Sequence, residues 1–185
     1  MVVNKARLFS MPVRLDERAF EAVFHEHYPR VYAILLRLTG EPYEADDLAA
    51  ETFWRLWERP PAQTENLAGW LYRVASRLGY NALRGSQRRG RYEIKAGRDA
   101  LESKPTGDPA QVVEQRQEQA RVREILRHMP MRDVQILVLR HSGLSYKEIS
   151  ATLGITLSSV GTLLARAETR FETLYIRGDD HASTR

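Results

Sequence analysis

Apolar residues recur at helical spacing along most of this chain, and that periodicity constrains its fold more than any other feature. No long stretch alternates with a period of two, so the pattern predicts an all-α protein. Seven helices are predicted, near residues 17–38, 43–58, 67–85, 110–129, 132–141, 146–153 and 157–175. Pro42, Pro130, Gly40 and Gly154 lie at or beside their boundaries. The chain is therefore predicted to be a series of short helices joined by brief turns.

The segment 90–109 lacks an apolar stripe and combines glycine, proline and serine with balanced charges. Such a composition is typical of a flexible linker between compact units. The sequence therefore predicts two small helical domains, with the division as follows: an N-terminal tail 1–16, a helical bundle 17–90, a linker 91–109, a helix-turn-helix domain 110–178 and a C-terminal tail 179–185.

The net charge of +4, from 28 Lys and Arg against 24 Asp and Glu, hides an uneven distribution. Residues 20–60 carry 4 basic and 8 acidic groups, a net charge of −4. Residues 61–92 carry 6 basic groups and 1 acidic group, a net charge of +5. Adjacent blocks of opposite charge indicate two partners, of which one is a protein and the other is a nucleic acid.

Composition excludes several other classes of protein. The chain has no cysteine, which rules out disulfides, thiol nucleophiles and thiolate–metal sites, and fits a cytoplasmic location. No run approaches about 18 apolar residues, and no secretory signal is recognisable, so membrane insertion is not expected. His25 and His27 are two residues apart on a predicted helix and point in different directions. No metal site, cofactor or catalytic motif is predicted.

The predicted helix 43–58 carries an acidic face opposite its apolar stripe. Glu44, Asp47, Glu51 and Glu58 lie on that face, and Trp54 joins them because it follows Asp47 by nearly two turns. A solvated acidic surface would explain the carboxylates alone. A tryptophan among carboxylates is instead typical of a protein-binding surface. The residues by themselves leave both interpretations open.

The next predicted helix has the opposite character. Its buried stripe is predicted to be Leu71, Val74, Ala75, Leu78 and Ala82. Its other face is predicted to present cations, aromatic rings and one amide, namely Trp70, Arg73, Arg77, Tyr80, Asn81 and Arg84, continued by Arg88, Arg89 and Arg91. Guanidinium groups pair with phosphates and rings stack on unpaired bases, so this face suits a single-stranded nucleic acid. A solvated basic helix with its aromatic rings in the core is the alternative.

The polar loop before this helix contains Gln63, Thr64, Glu65 and Asn66. These side chains offer donors and acceptors that could hold an extruded base. The loop could equally do no more than connect two helices.

The segment 144–171 contains the signals of a helix-turn-helix. Ser145 and Glu148 form a capping box, Gly154 provides the left-handed turn and Thr156 can cap a second helix. The predicted interior is Ile149, Leu153, Ile155, Val160, Leu164 and Ala167.

On the second helix of this motif, Ser159, Thr162 and Arg166 align on one side. The opposite stripe is Leu157, Val160, Leu164, Ala167 and Phe171. Small polar residues followed by an arginine suit a recognition helix in a DNA major groove. A purely structural helical hairpin is the alternative.

Three of these segments together resemble an extracytoplasmic-function (ECF) sigma factor, a small type of bacterial sigma factor, from about residue 20 to residue 175. Residues 44–57 (EADDLAAETFWRLW) are similar to the DAEDLVQETFLRAW-type helix of region 2.2. Residues 66–84 (NLAGWLYRVASRLGYNALR) are similar to the WLyrIArNlaiDhlR segment of regions 2.3 and 2.4. Residues 144–167 (LSYKEISATLGITLSSVGTLLARA) are similar to the helix-turn-helix of region 4.2. The order and spacing of the three motifs also match.

The resemblance implies three binding roles. The acidic helix would dock on the clamp helices of the β′ subunit of core RNA polymerase, through Glu44, Asp47, Glu51 and Trp54. The basic helix and its loop would bind and help melt the promoter −10 element, through Gln63, Thr64, Glu65, Asn66, Trp70, Arg73, Arg77, Tyr80, Asn81, Arg84, Arg88 and Arg89. The helix-turn-helix would read the duplex −35 element and contact the β flap, with DNA contacts from Ser145, Thr156, Ser158, Ser159, Thr162, Arg166 and Arg170.

The resemblance further implies an anti-sigma factor as a partner, and it leaves phosphodiester chemistry to the polymerase, so the chain is not expected to be an enzyme. The sequence departs from the family pattern at Ala50, Arg77, Asn81 and Leu163, where the family often has Gln, Asn, Asp and Arg. Two rival functions remain: a conventional helix-turn-helix repressor or activator of duplex DNA, and a helical adaptor that binds only proteins.

Overall fold

The computed structural model describes residues 15–62, 66–93 and 109–182, and all regular secondary structure in these ranges is α-helical. The helices there are α1 (Glu17–Thr39), α2 (Pro42–Glu58), α3 (Leu67–Glu93), α4 (Pro109–His128), α5 (Met131–His141), α6 (Tyr146–Leu153) and α7 (Leu157–Ala182). The all-α prediction is confirmed. Each predicted helix is present, and its boundaries agree within one residue except at the C-terminal ends of α3 and α7.

Helices α3 and α7 both run further than predicted. Residues 91–93 and 109, assigned to the linker, are helical, and so are residues 179–182, assigned to the C-terminal tail. Neither extension contains a proline, and the arginine and glutamine residues that follow Gly85 favour a helix. Residues 15 and 16 of the predicted N-terminal tail are described and lie directly before α1. The remaining residues of the predicted tails and linker, and loop residues 63–65, lie outside the described ranges.

Helices α1, α2 and α3 pack together as a first unit. Its core comprises Val31, Ile34, Leu35, Leu38, Ala45, Ala49, Phe53, Leu56, Leu71 and Ala75. The apolar stripe that the spacing predicts on α2 is confirmed, because all of its members are buried except Leu48, which packs partly buried against the core: Ala45, Leu48, Ala49, Thr52, Phe53 and Leu56. The Thr52 hydroxyl donates to the Leu48 carbonyl at 2.8 Å. Aromatic rings of α1 extend this core, and the ring centroid of Phe24 lies 4.8 Å from that of Phe53.

Adding a methyl group to Gly79 is expected to destabilise the first unit. A Cβ at this position would lie 2.7 Å from Leu38 Cδ1 and 3.1 Å from Leu38 Cβ, where α3 crosses α1. Gly79→Ala should therefore lower the free energy of unfolding by about 1–3 kcal/mol. Gly85→Ala is the control on the same helix, because nothing lies within 4 Å of its added Cβ, and it should stabilise by up to about 1 kcal/mol. Urea denaturation followed by circular dichroism measures both; equal effects would contradict the close approach.

Helices α4 to α7 form a second unit that ends in the predicted helix-turn-helix. Its core includes Ile125, Leu126, Val134, Ile136, Leu137, Leu139, Leu144, Ile149, Val160, Leu164 and Ala167. The capping box of Ser145 and Glu148 is present at the start of α6. The guanidinium of Arg121 lies 3.8 Å from the ring centroid of Tyr175 and donates to the Tyr175 carbonyl at 3.0 Å, which ties α4 to α7.

The turn between α6 and α7 bends the chain by 93°. Gly154 has a φ of 65°, as predicted, because the chain reverses in the left-handed conformation that glycine adopts without strain. The Ser150 hydroxyl closes the turn by donating to the Ile155 carbonyl at 2.7 Å. Among the described residues, no single helix is long and apolar enough to cross a membrane, and only this bent pair reaches that length and composition.

The two units contact each other through α3, which is buried on two sides. One side packs against α1 and α2, and the other against α5 and α6. Tyr72, Ser76, Tyr80 and Leu83 are consequently buried. The prediction that Tyr80 is exposed was wrong, since only 4% of it is accessible. Helical periodicity assigned one buried stripe to this helix, and the second stripe arises because another unit packs against it.

Candidate nucleic-acid interface

The outward side of α2 combines carboxylates with large exposed aromatic residues. Asp47 is exposed, and Trp54 is 58% exposed. Glu51 forms an ion pair with Arg55, with 2.5 Å between Glu51 Oε1 and Arg55 Nη2. Sequence reasoning missed Tyr43, which is 78% exposed. Tyr43 precedes Trp54 by eleven residues, which is about three helical turns. This spacing could have shown that both rings lie on the same side of the helix. We refer to Tyr43, Glu44, Asp47, Glu51 and Trp54 as the acidic–aromatic face.

The carboxylate of Asp46 on α2 has a partner on α1. Asp46 accepts a hydrogen bond from the hydroxyl of Tyr28 on α1. This bond, together with partial burial, raises the pKa of Tyr28 to about 12. Asp46 thus anchors α2 on α1, whereas Asp47 next to it points to solvent. Trp57, also exposed, lies at the border of the acidic–aromatic face, with its ring centroid 5.1 Å from that of Phe20.

The solvent side of α3 carries a row of cations and one amide. Arg73, Arg77, Asn81 and Arg84 are exposed, and Trp70 is half-buried at the start of the row. These five residues form the basic face. They lie together because spacings of three, four and seven residues return to the same side of a helix. The arrangement offers three guanidinium groups to a phosphate backbone and one ring for stacking.

Other residues predicted for the −10 element are placed differently. Asn66 is the N-cap of α3, because its side-chain oxygen accepts from the Gly69 backbone N–H at 2.9 Å. Tyr80 is buried and donates its hydroxyl to the Met129 carbonyl at 3.0 Å. Gln63, Thr64 and Glu65 lie outside the described residues. Arg88 and Arg89 lie on the last turns of α3, beyond the side chains that the structure describes.

Small hydroxyl-bearing side chains cluster at the start of α7. The Thr156 hydroxyl oxygen lies 2.6 Å from that of Ser159 and 3.2 Å from that of Ser158. Thr162 and Arg166 follow on the same side and are exposed. We call these five residues the recognition face. Hydroxyl donors followed by one cation can bind base edges and phosphates in a major groove.

Two residues near this face differ from their predicted surroundings, and a third residue beside it was not predicted. Arg170 forms an ion pair with Asp133, which ties α7 to α5. Leu157 was predicted to lie in the buried stripe, but it is 56% exposed because the first turn of α7 projects beyond the core of the second unit. Sequence reasoning missed Arg132, which borders a shallow groove with Thr156 and Thr162. Arg132 is the second residue of α5, and nothing in the sequence around it indicates that it lies near the start of α7.

The charge of Glu148 is expected to stabilise the helix-turn-helix in a pH-dependent way. The hydroxyl and the backbone N–H of Ser145 both donate to Glu148, each at 2.7 Å, and lower its pKa. Because the pKa is lower in the folded state, the stabilisation is present above the unfolded pKa of about 4.3 and is lost as the pH falls through the folded pKa. Glu148→Gln keeps the shape without the charge. Its deficit in unfolding free energy, about 0.5–1 kcal/mol at pH 7, should shrink towards zero at pH 3.

Urea denaturation of both proteins at pH 7 and pH 3, followed by circular dichroism, measures this difference. Glu21→Gln is a suitable control, because Glu21 is an exposed carboxylate on α1 of the first unit. A deficit for Glu148→Gln that stays constant between the two pH values would contradict the assignment.

No group of three or more His, Asp or Glu within the described ranges is arranged to hold a metal ion. His27 Nδ1 lies 3.1 Å from the hydroxyl of Tyr72, and His25 lies exposed near Glu21. These histidines have ordinary structural surroundings. The arrangement of the described residues is that of binding surfaces on a helical scaffold.

Residues 23–89 match the family described as Sigma-70 region 2, and residues 119–171 match the family described as Sigma-70, region 4. The chain is 32% identical over 152 residues to the ECF RNA polymerase sigma factor SigE of Mycolicibacterium smegmatis. This alignment covers 80% of this chain and 58% of that protein. It is 29% identical over 195 residues to SigG of Mycobacterium tuberculosis, covering 91% and 52%. The chain thus spans just over half the length of these curated relatives.

Two solved structures share the fold. CnrH in complex with the cytosolic domain of CnrY has a TM-score of 0.57 and 19% identity, covering 86% of this chain and 88% of that chain. The sigma factor RpoE in complex with the anti-sigma factor NepR, from Bartonella quintana, has a TM-score of 0.52 and 18% identity, covering 85% and 96%. These likenesses concern the fold.

The two matched regions follow one another in the order region 2, region 4, and each falls on one of the two helical units. The chain belongs to the sigma-70 family and is a sigma factor of the ECF type. The sigma-70 family is not a family of enzymes.

Proposed function

We propose that this chain binds core RNA polymerase and directs it to promoters, where it recognises the −35 and −10 elements and aids strand opening. The observation that carries the proposal is the exposure of three chemically distinct surfaces on one chain: the acidic–aromatic face of α2, the basic face of α3 and the recognition face of α7. A protein that only binds duplex DNA has no use for the first of these surfaces.

The acidic–aromatic face is the proposed docking site for the polymerase. Exposed Trp54 and Tyr43 can anchor in apolar pockets of a partner, while Asp47 and Glu51 around them select a basic surface. The resemblance of residues 44–57 to region 2.2 implies that this basic surface is the clamp helices of the β′ subunit.

The basic face is the proposed site for the melted −10 strand. Arg73, Arg77 and Arg84 would pair with phosphates of the strand, and the ring of Trp70 would stack on an unpaired base. Asn81 is the one amide among them and can read a base edge. Binding energy available only from unpaired bases favours the open state of the DNA over the duplex.

The recognition face is the proposed reader of the −35 duplex. The first turns of α7 would enter the major groove, with Ser158, Ser159 and Thr162 near base edges and Arg166 near a phosphate or guanine. Arg132, at the border of the same groove on the protein surface, is placed to contact the DNA backbone beside α7. The same unit would also contact the β flap.

The domain limits predicted from the sequence are 17–90 for the first unit, 91–109 for the linker and 110–178 for the second unit. Since α3 ends at Glu93, α4 begins at Pro109 and α7 ends at Ala182, the two units extend a few residues beyond these limits. The two matched segments, 23–89 and 119–171, lie within these limits. We further propose that the protein works in the cytoplasm without catalysing a reaction itself, and that an anti-sigma factor restrains it.

Run-off transcription tests the proposal. Purified full-length protein is added to core polymerase and fragmented genomic DNA, and the transcripts are sequenced. Transcripts that start downstream of one shared two-part motif, and that are absent with core polymerase alone, are expected. Binding to duplex DNA without polymerase-dependent transcripts would contradict the proposal in favour of a conventional repressor or activator. Binding to neither would favour an adaptor of proteins.

A further inference from the structure

We propose that Leu163 on α7 recognises one thymine of the −35 duplex through the 5-methyl group of that base. This assignment rests on the proposed function, because it names one base within the element that α7 is proposed to read. It is carried by the place of Leu163 in the groove beside the recognition face. It gives the protein a base preference that the hydroxyl groups of that face do not provide.

The groove at the start of α7 combines polar side chains with apolar ones. Its polar lining consists of hydroxyl-bearing residues and one arginine, namely Thr156, Ser158, Ser159, Thr162 and Arg132. Ile155 and Leu163 also line the groove, together with Gly154 of the turn. Among the described residues of α7, Leu163 is therefore the apolar side chain that contributes to this surface.

The position of Leu163 on the helix explains why it reaches the groove. Leu163 follows Ser159 by four residues and precedes Arg166 by three, and both spacings return to the same side of a helix. The core side of α7 is occupied by other apolar residues, which are at most 5% exposed: Val160, Leu164 and Ala167. Leu163 is only partly buried, so it lies at the border between the core and the groove.

Packing against the core holds the Leu163 side chain in place. Leu163 is one of the partly buried residues that pack against the hydrophobic core. A side chain that is already ordered loses little further conformational freedom when a ligand contacts it, and this favours binding. The accessible part of Leu163 is thus a fixed apolar surface beside the hydroxyl groups of the recognition face.

A fixed apolar surface in a major groove selects thymine. Thymine alone presents a methyl group there, whereas the other bases present mainly hydrogen-bonding groups. Leucine cannot form hydrogen bonds, so a polar base edge that it covers loses water without gaining a partner. Serine and threonine hydroxyls can donate or accept, so they tolerate several bases. Leu163 therefore adds a preference for thymine that Ser158, Ser159 and Thr162 do not supply.

Leu157 offers a matched control on the same helix. It is 56% exposed and lies six residues before Leu163. It shares the side of Val160 and Leu164 rather than that of Arg166, because it precedes the first two by three and seven residues. The lining of the groove does not include Leu157. Replacing Leu157 thus removes an equally large apolar side chain from outside the proposed contact.

Uracil substitution in the DNA tests the contact, because uracil is thymine without the methyl group. Promoter fragments that carry the two-part motif found by run-off transcription are prepared with each −35 thymine, on either strand, replaced singly by uracil. Competition measurements give the affinity of each fragment for the complex of full-length protein with core polymerase. One of these substitutions should weaken binding about fourfold, which is the effect expected from exposing one buried methyl group.

Replacing Leu163 should remove this difference. With Leu163→Ala, the thymine and uracil forms of that fragment should bind equally, whereas Leu157→Ala should retain the parental difference. Leu163→Gln is a second variant, which keeps the length of the side chain and replaces its apolar end with an amide, and it should lose the difference as well. Circular dichroism confirms that each variant is folded. The ratio of two affinities within one protein is unaffected by a uniform change in its affinity for DNA.

The assignment is wrong if no −35 uracil weakens binding, or if the −35 element contains no A·T pair. It is equally wrong if Leu163→Ala and Leu163→Gln keep the parental difference, because the methyl group would then contact another residue. Loss of the difference in Leu157→Ala would contradict a contact within the groove. Absence of polymerase-dependent transcripts would contradict the proposed function instead, and it is measured on unmodified DNA before any uracil is introduced.

Discussion

An Asp47→Lys, Glu51→Lys variant is expected to bind core RNA polymerase at least about 100-fold more weakly than the parent while keeping its fold. Asp47 is exposed, and Glu51 keeps only an exposed pair with Arg55 that contributes at most about 1 kcal/mol to stability. Like charges opposed across an interface cost several kcal/mol, so a basic partner surface should be repelled. The fold should survive because neither side chain contributes to the core.

A matched variant separates this effect from a change in overall charge. Glu21→Lys with Glu26→Lys alters the net charge equally on exposed positions of α1, outside the acidic–aromatic face. Fluorescence anisotropy with labelled protein and purified core polymerase measures both affinities, and circular dichroism confirms folding. If the Asp47, Glu51 variant and the matched variant bind equally well, α2 is not the docking site.

Replacing Arg73 and Arg77 by alanine is expected to abolish most promoter opening while leaving −35 duplex binding unchanged. Both guanidinium groups are exposed on the basic face, and the recognition face lies on another helix. Each phosphate contact to a single strand contributes about 0.7 to the slope of log affinity against log salt, so losing two should reduce the slope by about 1.4. Permanganate reactivity of unpaired thymines reports opening, and affinity for −10 single strands at several salt concentrations gives the slope.

Arg18→Ala with Arg37→Ala removes two exposed arginines of α1 and provides the matched control. It should leave both opening and the salt slope near parental values. Trp70→Ala should also reduce opening but should not change the slope, because stacking involves no counterion release. An unchanged slope in the Arg73, Arg77 variant would refute phosphate binding by α3.

Local chemistry made the helices of this chain predictable, and packing between units made part of the site unpredictable. The α2 stripe and the Ser145–Glu148 capping box depend on residues within one helix, so spacing alone revealed them. Burial of Tyr80 depends on Met129, which lies 49 residues away. The helical periodicity of α3 does not indicate a contact with so distant a residue. The arginines and aromatic residues of α3 alternate along the helix, so the sequence predicts that they share one exposed side.

Individual side chains show the same distinction within the proposed binding faces. Arg73 and Arg77 could be placed on the solvent side from spacing, because they lie opposite Leu71 and Ala75. Arg170 could not be recognised as a partner of Asp133. Asn66 could have been assigned as the cap of α3, because the helix is predicted to begin at residue 67, directly after it. Exposure follows from helical periodicity, whereas pairing follows from tertiary structure.

Two of the hydrogen bonds between the units end on backbone carbonyls, those of Met129 and Leu83. A carbonyl acceptor is present whatever side chain its residue carries, so the acceptor positions are free to diverge as long as the helices keep their paths. Selection for such a contact would act on the donors Tyr80 and Arg127. Among homologues of this chain, Tyr80 and Arg127 should therefore be substituted less often than the apolar residues around them.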